Sequence, residues 1–162
     1  MAMNFTRFLL VLLLLPLAGL GGCSKSPAPS GAHPSKHEHR PPHGGTPVVL
    51  GEEVYHLELL RDAATGKLQA YVFDGELENF IRSSVPSFEI MAIVKGAPQN
   101  LVLQAVANPA TGETVGDTSL FEAQADWLKM TPMFEATLKS ITIRGTTFRE
   151  VKFNFPQGND TD

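Results

Sequence analysis

The chain has a single cysteine, Cys23, in 162 residues. It can form no internal disulfide and no cluster of thiolate metal ligands. It has no basic excess either. Thirteen Lys and Arg against seventeen Asp and Glu leave a net charge of −4, which excludes the positive stripe of a nucleic-acid partner. After Cys23 no apolar run approaches the roughly 18 residues of a membrane-spanning helix. No stretch carries a long helical period. G-x-S-x-G, H-E-x-x-H and P-loop motifs are absent, and the chain is expected not to be an enzyme.

What is present begins at the N-terminus. Arg7 supplies a short positive region, Phe8 to Leu17 is almost wholly Leu, Val and Phe, and small residues lead to Leu20-Gly21-Gly22-Cys23. This is the three-part layout of a secretory signal, with an apolar core of about 10 to 12 residues, too short to span a bilayer. The polar run Ser24-Lys25-Ser26-Pro27 follows. The pattern resembles a bacterial lipoprotein signal with its lipobox. The resemblance implies a signal peptide over 1–22 and a mature chain starting at Cys23, diacylated (palmitate-type chains) on sulfur and acylated on nitrogen. Three chains on one residue are enough for stable attachment. The expected partner is therefore the membrane itself. Ser24, where an Asp would favour retention in the inner membrane, implies the outer membrane facing the periplasm. Removing 1–22 takes away one charged residue, Arg7, and leaves 12 basic against 17 acidic, net −5.

Residues 23–45 read as a tether. Pro27, Pro29, Pro34, Pro41 and Pro42 alternate with Ser, Gly and Ala, a composition that cannot bury a core. From Thr46 the pattern turns to strands. Val48-Val49-Leu50 is short and apolar. Over Glu53 to Leu60, Tyr55, Leu57 and Leu59 share one face, His56 and Glu58 the other. Asp62 to Gly66 is a turn, and Lys67 to Phe73 returns as a hairpin. Glu76 to Arg82 is a short helical turn or an irregular loop. Further strands are expected at Phe88 to Val94, Leu101 to Ala105, Leu120 to Ala125, Phe134 to Ile143 and Val151 to Phe155. Turns are expected at Lys95-Gly96-Ala97-Pro98 and Arg144-Gly145-Thr146. The phase shift between Leu138 and Ile141 points to a bulge or bend near Lys139-Ser140. Gln157 to Asp162 reads as a disordered tail. Seven to nine short strands over 46–156 give an all-β domain: an antiparallel, immunoglobulin-like β-sandwich, with a small β-barrel as the alternative.

Histidine carries the main chemical signal. His37-Glu38-His39 and His43 follow His33, and an H-x-H step with a third imidazole nearby suits Cu or Zn. His56 and Glu58, on one strand face, could complete a site with His43. The competing reading is a polar tether that contains histidines by composition, with His56 at an exposed or edge position. Met130 and Met133 could hold Cu(I) or simply fill space. Asp74, Glu76 and Glu78 lack the pattern of a calcium loop and read as a solvated turn.

Pro42-His43-Gly44-Gly45-Thr46, then Tyr55-His56-Leu57-Glu58, then Leu68-Gln69-Ala70-Tyr71-Val72-Phe73-Asp74 resemble an N-terminal segment of some periplasmic adaptor subunits of heavy-metal efflux pumps, and of small bacterial lipoproteins. The likeness spans residues 42–74. It implies a metal-related role for His43 and His56. The long coiled-coil hairpin of the adaptors is missing, so the resemblance implies an accessory module. Two expectations follow. One is a metal-binding accessory to homeostasis or efflux, partnered by efflux components. The other is an envelope interaction module that presents an apolar patch around Phe80 and Ile81 or Trp127 and has no metal dependence.

Overall fold

Strict apolar alternation builds the domain. A computed structural model describes residues 40–160. It has β1 (Thr46–Leu50), β2 (Tyr55–Asp62), β3 (Lys67–Asp74), β4 (Ser87–Val94), β5 (Ala97–Ala105), β6 (Leu120–Gln124), a single helical turn α1 (Trp127–Met130), β7 (Phe134–Ile143) and β8 (Thr146–Phe155). Alternating apolar residues from every strand enter one core. Leu50, Leu57, Leu59, Leu68, Ile90, Leu103, Phe121 and Leu138 are fully buried there. Each such side chain contributes about 1.5–3 kcal/mol on leaving water.

The strands form one antiparallel sheet in the order β1-β2-β3-β6-β5-β4-β7-β8. β6 is inserted between β3 and β5, so the connections β3–β4 and β6–β7 each skip over two strands, at opposite ends of the sheet. The end strands β1 and β8 approach each other without forming a ladder, and the sheet nearly closes into a barrel. The all-β antiparallel class and the strand number are as the alternation implies. The hydrogen bonding runs through one nearly closed sheet, consistent with the expected all-β sandwich or small barrel. Lys95-Gly96 and Arg144-Gly145 are two-residue turns with positive φ throughout, the geometry that matches strand twist. Ala97, Pro98 and Thr146, expected in turns, therefore belong to strands. The bulge falls where the phase shift places it. Glu89 pairs with Ser140 and Ile90 with Leu138, which leaves Lys139 as the extra residue and returns Ile141 and Ile143 to the core.

Both ends of the domain differ from expectation. Residues 40–45, assigned to the tether, include a turn closed by Gly44 N–H donating to Pro41 O at 3.0 Å, and they rest on β2. Gln157 to Asn159, assigned to a disordered tail, form a turn that bridges the seam. Asn154 and Gly158 exchange backbone hydrogen bonds of 3.0 and 2.6 Å. Thr46 Oγ1 donates to Pro156 O at 3.0 Å. The Asn159 carboxamide accepts from Val49 N–H at 2.7 Å and donates to Val49 O at 3.2 Å. The reason is chemical: an edge strand needs its backbone groups satisfied, and Asn159 supplies the donor and acceptor of a peptide.

Candidate functional site

The hairpin register sets Glu58 opposite Tyr71 and His56 opposite Phe73 on the outer face of β2 and β3. That face would meet water in an uncovered sheet. Here it is roofed by the turn at 41–45 on one side and the connection 75–82 on the other. The second roof is held by Phe73 and Phe80 pairing as a bridge and by Ile81 N–H donating to Val72 O at 2.9 Å. As a result His56, Glu58, Phe73 and Leu77 are all at most 2% exposed, although Phe73, Leu77 and the two polar residues lie outside the barrel core. The connection is an irregular loop, with Leu77 at φ 57°.

Glu58 is the hub. Its Oε1 accepts from the backbone N–H groups of His43 at 2.8 Å and Gly45 at 2.9 Å. Its Oε2 lies 2.6 Å from His43 Nδ1. The two backbone groups can only donate, so the carboxylate acts as acceptor, and Nδ1 carries the proton of the third bond. Nε2 is the ring nitrogen that this bond leaves unused. Gly45 is required by contact: a Cβ there would sit 2.7 Å from Glu58 Cγ and from the Leu59 carbonyl. The His43 ring stacks on Tyr71 at 4.5 Å and 22° and faces Phe80 at 6.0 Å. Phe80 packs on Phe73 at 4.6 Å. The His43 side chain remains 37% exposed, and Phe80 51%. Burial raises the Tyr71 phenol above its usual range, and the carboxylates of Glu122, Glu58 and Glu113 add to it.

The five proposed metal ligands fare differently. His37 and His39 lie outside the described residues, as does Cys23, the expected lipidation site. His43 and Glu58 are brought together, as a hydrogen-bonded pair rather than as two ligands, because both Glu58 oxygens are occupied. His56 shares their face but turns to the other roof, with Nδ1 3.3 Å from Asp74 O. His56 is neither exposed nor at an edge, because β2 lies between β1 and β3. The trio His43, His56 and Glu58 therefore does not converge. Among the described residues no group of three His, Cys, Asp or Glu is placed to hold a metal ion.

Other expectations resolve structurally. Asp74 caps its own turn. It accepts from Glu78 N–H at 3.0 Å, Asn79 N–H at 3.2 Å and Asn79 Nδ2 at 2.7 Å. Burial works to raise its carboxyl, but the bonds from Asn79 and Glu78 prevail and hold it below the ordinary range. Glu113 anchors the connection 106–119 through Ser119 N–H at 2.9 Å, Ser119 Oγ at 2.6 Å and Thr111 Oγ1 at 2.9 Å. Ile81 is buried, and Trp127 packs edge-on against Phe134 at 5.2 Å, so of the expected apolar patch only Phe80 stands out. Met130 and Met133 are exposed, 84% and 65%. A surface depression of about 690 Å³ lies on the outer face of β4, β7, β8 and the C-terminal turn and includes none of the five proposed ligands.

Sequence reasoning missed Tyr71 and Phe73 as partners of this face. The signal was available: counting back from the turn at Asp62–Lys67 sets Tyr71 opposite Glu58. It also missed Asn159, for which the sequence holds no local signal. No family model, curated protein or solved structure matches the chain.

Proposed function

We propose that this is a lipid-anchored envelope protein, attached through Cys23 and facing the periplasm from the outer membrane, that captures Cu or Zn rather than catalysing a reaction. His43 is the ligand fixed to the β domain, and His37 and His39 precede it in the same segment. The observation that supports this reading is the 2.6 Å contact of His43 Nδ1 with Glu58. A metal-binding imidazole characteristically donates its other N–H to a carboxylate, which fixes the tautomer and ring orientation. Glu58 thus moves from ligand to positioning residue. His56 belongs to the packing of the same face.

The test is calorimetric titration of the protein with Zn(II) and Cu(II), and with Cu(I) under anaerobic conditions. Saturable binding at micromolar or tighter is expected, and it should vanish when His37, His39 and His43 are all changed to Ala. Glu58→Gln sharpens it. Gln still accepts from both backbone N–H groups but presents an N–H to Nδ1, which moves the ring proton to Nε2. Affinity should drop by about 10–100-fold, and the imidazole nitrogen shifts of the metal-free protein should report the switched tautomer. No saturable binding, or binding indifferent to the triple variant, sinks the proposal. That result would leave the alternative, a docking module for another envelope protein, which half-exposed Phe80 favours.

A further inference from the structure

We propose that the outer edge of β1 at Val49 is a strand-acceptor site, held shut in cis by the C-terminal turn, and that a second copy of this chain occupies it when the turn is displaced. Val49 points both its N–H and its C=O at the seam, where one side chain, Asn159, answers both. A carboxamide that donates and accepts side by side reproduces what a neighbouring strand offers. The turn is seated tightly: a Cβ at Gly158 would collide with the Pro47 carbonyl, and Thr46 Oγ1 holds Pro156 O. Only this turn, and not a β8 ladder, covers the β1 edge among the described residues.

The geometry selects the occupant. In an antiparallel pair, residues directly opposite in a hydrogen-bonded position exchange both N–H···O bonds. Two β1 strands related by a two-fold axis at Val49 therefore regain the two bonds that Asn159 makes now. Such a contact is self-complementary and closes as a dimer rather than propagating. Pro47, which has no N–H, recurs by the two-fold on both sides of Val49 and keeps the ladder short. The turn is thus an edge guard.

The test compares the full chain, a chain ending at Pro156, and Asn159→Ala, all in the same detergent, by analytical ultracentrifugation over a concentration series. Both variants should self-associate about tenfold more tightly than the full chain, the scale of two exchanged hydrogen bonds. Val49→Cys in the shortened chain, with Cys23→Ala, should cross-link between copies, because Cα atoms of a hydrogen-bonded pair lie about 5.5 Å apart. Thr147→Cys in the same background should not. Folded variants that sediment like the full chain, whether β8 zips onto β1 or the seam stays open, overturn the proposal. If the shortened chain loses its circular-dichroism signature, Asn159→Ala decides, since it removes one side chain and leaves the turn.

Discussion

The two faces of β2 solve burial in opposite ways. Inward, Leu57 and Leu59 join a core shared by every strand, where no single residue is indispensable because each contact is one of many. Outward, His56 and Glu58 are as fully buried, yet the cover is two loops, and much of the hold on the N-terminal loop passes through one carboxylate. Dispersed apolar packing tolerates loss by degrees. A polar hub fails at once, because removing the acceptor strands every donor aimed at it. The interior therefore sets stability, and the outer face sets the placement of the His43 imidazole.

Breaking the inner face gives the largest effect. Leu138 is fully buried on β7, one residue before the bulge. Leu138→Ala should cost about 2–5 kcal/mol by leaving a cavity, read as a drop in denaturant midpoint at unchanged slope. Metal affinity of the folded fraction should not move. A loss of affinity equal to that of Glu58→Gln would show that the two faces are not separable.

Glu58→Ala is the complementary break. It deprives the N–H groups of His43 and Gly45 and the His43 ring of their acceptor. The expected global cost is about 1–3 kcal/mol, with the larger change local. Hydrogen exchange of the Gly44 and Gly45 amides should rise by more than global stability accounts for, while amides of β7 keep their protection. Uniform acceleration across the domain would mean that the hub is part of the barrel core.

The same contrast explains what the sequence disclosed. Period-two alternation names the inward residues of β2, β3, β4 and β7, and a break in phase at Lys139 locates the bulge, because both are local consequences of one side chain per 3.3 Å or so of strand. Alternation says nothing about what lies above the outer face. His56 and Glu58 look solvent-facing until loops 41–45 and 75–82 are placed, and those loops arrive from outside the strand. The seam was hidden for the same reason. Asn159 meets Val49 across 110 residues, and nothing near position 159 announces an edge to be capped. The histidines were visible as a cluster, but spacing could not show that Glu58 would spend both oxygens on hydrogen bonds.

The mildest perturbation is acid, and it acts on the roof that Glu58 does not hold. Asp74 fastens the connection 75–82 through Asn79 and Glu78, and those bonds keep its carboxyl below the ordinary range against the opposing effect of burial. A carboxyl depressed in the folded state contributes stability that is complete above its unfolded value. That contribution is lost as pH falls through the folded one. The connection should stay fastened above about pH 5 and loosen as pH drops below about 4. The effect is small because Asp74 is partly exposed and solvent screens it. The amide shifts of Glu78 and Asn79 should titrate in this window before β2 or β7 amides respond, and Asp74→Asn should abolish the titration. Shifts that persist in Asp74→Asn, or that move only with the whole spectrum, would assign the acid response to the barrel and remove the distinction between its roof and its core.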